Sequence, residues 1–113
     1  MEPKILVIGR KQEVIDVLVE ELNMLGRDVR GAEEKTVITS ILQNEHVNFV
    51  VIGAGLPDEI REEVAAYVTE IRPDVGIHLI ERKESSSPYD MIDYTNRKAV
   101  EWKVGKKLGA RSK

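Results

Sequence analysis

The chain contains no cysteine. Disulfide frameworks, thiolate zinc sites and cysteine nucleophiles are therefore excluded, and the absence suits a reducing compartment. Long apolar runs are missing too. The first hydrophobic stretch follows Met1-Glu2-Pro3-Lys4 and closes at Gly9, too brief for a signal-peptide core or a bilayer span. A cytoplasmic location is the expectation. Neither sign of charge dominates: 17 basic residues stand against 20 acidic ones, a net charge of −3. No global field then marks nucleic acid or an anionic membrane as the partner. What the chain has is 42% hydrophobic and 33% charged residues over 113 positions, the balance of a single globular domain. Residues 1–105 are expected to form that domain and residues 106–113 a basic tail.

Lys4 to Gly9 is a continuous β-branched run closed by glycine, the pattern of a strand buried on both faces of a parallel sheet. From Gln12 to Leu25, apolar residues Val14, Ile15, Leu18, Leu22 and Leu25 recur at helical spacing, and Gly26 stands where a left-handed terminator belongs. Arg27 to Ala32 reads as a charged edge strand. Glu34 to Asn44 carries Val37, Ile38, Ile41 and Leu42 on one helical face, and Val47 to Ile52 is the most apolar strand, expected at the centre. A third helix opens at Leu56-Pro57-Asp58-Glu59, with Ile60, Val64, Val68 and Ile71 as its buried stripe, and stops at Pro73. Gly76 to Ile80 is the fourth strand, and residues 81–87 a charged, serine-rich loop. Ser87 before Pro88, with Asp90 three residues on, is a capping-box-like start for a fourth helix ending near Gly105. The alternation predicts an α/β fold: a doubly wound parallel sheet of strand order 2-1-3-4, flavodoxin-like.

The first strand, the third strand Asn48-Phe49-Val50-Val51-Ile52 and the segment Arg72-Pro73-Asp74-Val75 carry a likeness. Over residues 4–81 the chain resembles the response-regulator receiver domain. In that family the first strand ends in two acidic residues that hold magnesium, and the third ends in the phosphoacceptor aspartate, four residues before a proline. Here Pro57 lies four residues after Gly53, so the resemblance sets Gly9 and Arg10 at the acidic pair, Gly53 at the phosphoacceptor and Glu81 near the phosphate-sensing hydroxyl. Glycine has no nucleophile, and a site without its carboxylates gathers no divalent ion, so the expectation is a pseudo-receiver not phosphorylated on aspartate. Residues 82–113 contain no strand comparable to a receiver's fifth, so the sheet is expected to stop at strand four and to dimerise through strand four or helix four.

Two constellations could bind a ligand at the carboxyl ends of strands one and three. Gly53-Ala54-Gly55 sits between a strand and a helix start, and Gly9-Arg10-Lys11 brings two cations beside it, so the pair reads as an anion or nucleotide crevice or as a tight turn beside solvated charge. His46 and His78 fall on separate elements and read as structural, and neither a metal site nor a cofactor is expected. Residues 97–113 hold seven basic residues and one acid. That segment reads chiefly as charge complementing a helix C-terminus, with nucleic acid not expected as the partner. Tyr89, Tyr94 and Trp102 concentrate the few aromatics on the last helix. Tyr89 is expected inside, and at least one of Tyr94 and Trp102 outside, forming an interaction surface with Ile77 and Leu79. The function expected is non-catalytic protein–protein interaction in bacterial signalling, with a small-anion or nucleotide sensor at the crevice as the alternative.

Overall fold

Strand β1 (Lys4–Ile8) sends Ile5 and Val7 to one side of the sheet and Leu6 and Ile8 to the other, all fully buried. Side chains alternate along a strand, so a run apolar at every position is stable only when helices cover both faces. The computed structural model, which describes residues 1–81 and 87–111, has that arrangement. Strands β2 (Asp28–Ala32), β3 (Phe49–Ile52) and β4 (Gly76–Leu79) join β1 in one all-parallel sheet of order β2-β1-β3-β4. This is the expected α/β order, compatible with a flavodoxin-like fold.

Helices α1 (Gln12–Met24) and α4 (Pro88–Arg111) lie on one face with Ile5, Val7, Phe49, Val51 and Ile80; α2 (Lys35–Asn44) and α3 (Asp58–Ile71) lie on the other with Leu6, Ile8, Val50 and Ile52. Each such side chain contributes about 1.5–3 kcal/mol relative to exposure. Gly26 ends α1 at φ +86°, where the Arg27 N–H bonds Leu22 O at 3.1 Å and the Gly26 N–H bonds Asn23 O at 3.0 Å. This is a glycine-terminated helix end that a side chain at Gly26 would strain. The Ser87 hydroxyl donates to Asp90 Oδ2 at 3.2 Å and accepts the Asp90 N–H at 3.4 Å, the cap read from the sequence.

Several expectations are corrected. Helix α4 does not stop at Gly105 but continues to Arg111, because Gly26 alone among the described residues takes a positive φ and Gly105 is an ordinary helical residue. The first part of the basic tail is therefore helical, and residues 112–113 lie outside the described residues, as does most of the expected loop, residues 82–86. On α3, Ile60 is exposed and Arg61 takes its place inside, 7% exposed. Leu25 and Val37 are also exposed. On α4, Tyr89 is 78% exposed, while Tyr94 is buried and Trp102 half-buried. Thr95 and Ala99 set the centre of that buried face, so Tyr89 falls outside it, and Tyr94 cannot serve as exposed interaction surface.

Candidate functional site

At the carboxyl ends of β1 and β3 the structure brings Gly9, Arg10, Lys11, Gly53 and Gly55 around one cavity of about 250 Å³. Ala54 is not in its lining; it is half-buried and packs toward the α1/α4 core. The remaining walls are apolar: Val14, Ile15 and Leu18 from α1, and Met91 from α4. Met91 closes over Gly53. A Cβ built there would meet the methionine Cε at 2.9 Å and Sδ at 3.4 Å, so the space above Gly53 is filled by a thioether. Arg10 and Lys11 are exposed and have no carboxylate partner among the described residues. The first free amide of α1, Gln12 N–H, is taken by Glu33 Oε2 at 3.1 Å, which supplies the negative charge a helix N-terminus favours. The crevice is thus an apolar pocket with two cations on its rim. Among the described residues no three His, Cys, Asp or Glu side chains gather as a metal site.

The two edges of the sheet are finished differently. At β2, Val29 directs its N–H and C=O away from β1, and the side-chain amide of Asn23, in the last turn of α1, takes both: Val29 N to Asn23 Oδ1 at 3.0 Å and Asn23 Nδ2 to Val29 O at 3.3 Å. Arg30, tied to Asp28 and Glu45 at 3.0 Å each, adds charge to the same edge. At β4, Gly76 N–H bonds Asn48 O and Ile80 N–H bonds Ile52 O, both on the β3 side. The alternation of a parallel ladder turns the N–H and C=O of Ile77 and Leu79 outward. Among the described residues nothing bonds them. Leu79 is 40% exposed and Ile77 half-buried.

Arg61 guards the end of β4. Its Nη2 donates to the Ile80 carbonyl and its Nη1 lies 3.5 Å from Asp58 Oδ1, while its buried Nε–H has no partner among the described residues. His78 is half-buried in β4 with its ring edge-on to Phe49 at 5.3 Å. Burial pushes its pKa below the ordinary value, and the Lys98 charge adds to this while Glu101 opposes it. His46 is exposed in the α2–β3 connection, and the two histidines stay apart on separate elements, as expected. Two of these features escaped the sequence reading. Asn23 reads as part of a helix terminus, and a buried Arg61 needs the Ile80 carbonyl, which only the tertiary fold supplies.

No protein-family model matches the chain, and a search of curated proteins finds no match. No helix among the described residues is long and apolar enough to cross a membrane.

Proposed function

We propose that the chain is a non-catalytic, receiver-like protein–protein interaction module of bacterial signalling or regulation, cytoplasmic, not phosphorylated on aspartate, and docking through β4 to a second copy of itself. The observation that carries this reading is the open edge: Ile77 and Leu79 present unbonded N–H and C=O groups, whereas those of Val29 on the opposite edge are capped. An unpaired edge strand is a template for another strand. A two-fold axis through His78 would run two β4 strands antiparallel and set Ile77 of one copy against Leu79 of the other. Those are the residues whose outward groups are free, so both directions of the exchange are satisfied by one symmetric pairing. The chemistry at the crevice supports the same reading. Gly53 offers no nucleophile, Gly9 and Arg10 offer no carboxylate, and Met91 fills the space above. The small-anion or nucleotide alternative at that crevice rests on Arg10 and Lys11 alone, since the walls behind them are apolar.

Light scattering at tens of micromolar tests the proposal. The parent protein is expected to be a dimer. Leu79→Lys, on an exposed side chain, and Ile77→Pro, which deletes an outward N–H without touching a bond to β3, are expected to give monomers, the first still folded, with a thermal midpoint that no longer depends on protein concentration. A parent protein that is monomeric, or a dimer indifferent to both substitutions, would overturn it.

A further inference from the structure

Helix α4 begins beyond the carboxyl end of β4 and packs on the sheet face shared with α1. Its 24 residues make a rod about 36 Å long, against strands of four or five residues. The helix therefore outruns the sheet, and its last turns stand at the amino ends of β1 and β3. There Trp102, Lys103, Lys106 and Lys107 meet Met1, His46 and Asn48 around an open depression of about 400 Å³. No acidic residue lines it. Ligand clefts commonly measure about 300–1,000 Å³.

The cations there are not equivalent. Lys103 is committed to the Glu2 carboxylate, which also binds Arg27 at 2.9 Å, and Lys98 just above is paired with Glu101. Lys106 and Lys107 have no carboxylate among the described residues. Lys106 holds its ammonium over the indole, 5.3 Å from the ring centre of Trp102. Asn48 accepts the Lys4 N–H on Oδ1 at 2.8 Å, which fixes its amide and leaves the NH2 as an unused donor in the lining. Cations at a helix C-terminus complement its dipole, and that accounts for the lysines alone. It does not account for a half-buried indole that carries a lysine ammonium over its ring, beside an unspent amide donor.

We infer that this depression is a nucleoside-phosphate site, in which Trp102 stacks a base, Lys106 and Lys107 hold the phosphate and Asn48 donates to the base or sugar. Base stacking on aromatic side chains tolerates any base, because every base has a π-face. An arriving base replaces the Lys106 ammonium on the ring, and that ammonium turns to the phosphate, so one movement serves both contacts. The same chemistry is offered by a free nucleotide and by a unit of single-stranded nucleic acid. The site lies at the opposite end of the sheet from Gly9 and Gly53, and it is independent of the β4 edge.

Trp102 is the chain's single tryptophan, so its fluorescence reports on this site alone. ATP, a short oligothymidylate and inorganic phosphate would each be titrated into the full chain at low and at moderate salt. Quenching by ATP or by the oligonucleotide, and not by inorganic phosphate, is the expected result. The Lys106→Ala/Lys107→Ala double variant, unchanged in thermal midpoint because both side chains are exposed, is expected to bind roughly tenfold more weakly and with a shallower salt dependence. Tighter binding of ATP than of the oligonucleotide assigns the site to a free nucleotide; the reverse order, with a steep fall in salt, assigns it to single strands. An unchanged spectrum with every ligand, equal quenching of parent and double variant, or inorganic phosphate acting as strongly as ATP would overturn the assignment.

Discussion

Val29 on β2 and the pair Ile77 and Leu79 on β4 occupy equivalent places, each turning backbone groups away from the sheet at one of its two edges. At β2 a single asparagine from the last turn of α1 takes both groups of Val29, with Arg30, Asp28 and Glu45 laying charge beside it, while the outward groups of Gly31 have no partner among the described residues. At β4, among the described residues, no side chain bonds the outward groups of Ile77 and Leu79, and Arg61 reaches instead the Ile80 carbonyl one residue past the strand. Capping of an outward strand residue is local chemistry here rather than a property of the fold. A helix end must arrive beside the strand with an amide of the right reach. The turn at Gly26 brings the end of α1 close enough to β2 for that.

The costliest substitution is expected in β2, beneath α1. A Cβ at Gly31 in β2 would lie 2.2 Å from Ile15 Cγ2 and 2.7 Å from Val19 Cγ2, so α1 sits closer to β2 than any side chain there permits. Gly31→Ala must lift the helix and draw Asn23 off Val29. A loss at or above the upper end of the about 1–3 kcal/mol typical of overpacking is expected. Urea unfolding measures it, and a loss under about 0.5 kcal/mol would show that α1 moves freely over the edge. Next in size is Arg61→Ala at the other edge, which leaves the buried Ile80 carbonyl unbonded and should cost about 1–3 kcal/mol. Hydrogen exchange should then accelerate in β4 and in the first turn of α3 before it does in β1.

Asn23→Ala is expected to cost less. It removes two exposed or half-buried bonds, about 1 kcal/mol, partly offset by the better helix propensity of alanine. Its larger consequence is a second open edge. Self-association should extend beyond the dimer to concentration-dependent oligomers, visible in sedimentation velocity, because each copy then offers both β2 and β4. A variant with the parent's association behaviour would mean that the charges of Arg30 and Asp28 suffice to close β2.

The sequence carried the layers and the strand order well. The β-branched run at Lys4–Ile8 and the all-apolar Phe49–Ile52 admit only a doubly covered parallel sheet, and Gly26 and Ser87 mark their helix ends through local chemistry alone. Where burial depends on a distant partner, the reading failed. Ile60 and Arg61 are neighbours on α3, and hydrophobicity favours Ile60, yet Arg61 stands seven residues before the buried Val68 and so faces the sheet squarely. Gly105 looks like Gly26 in sequence, but a glycine terminates a helix only if the chain takes positive φ there. Tyr89 and Tyr94 differ in burial because Thr95 and Ala99, a polar and a small residue, define the face. At the candidate site, Gly9, Arg10, Lys11, Gly53 and Gly55 were legible from the ends of their strands, whereas the covering Met91 and the meeting of Trp102 with Asn48 and His46 are products of the helix's length and path.

The smallest effect is a pH dependence confined to one edge. Burial, with Lys98 adding and Glu101 opposing, lowers the His78 pKa below its ordinary 6.5. A lowered pKa means that the folded state binds the proton less readily than the unfolded chain. Stability from neutral His78 is thus complete above about pH 6.5 and declines as pH falls below it. In a β4-paired dimer, the two His78 residues face each other across the two-fold axis, so protonation also sets like charges together. Acid should therefore weaken association before it weakens the fold. Asp74 is held down to about 2 by its hydrogen bonds from Arg72 and the backbone, so its contribution is kept until pH falls from about 4 toward 2, well below the histidine window. Light scattering from pH 7.5 to 5.5, beside an NMR titration of the His78 ring, separates the two. Dissociation tracking the His78 titration, and absent in His78→Gln, places that ring at the paired edge; a dimer unchanged across the window removes it from there.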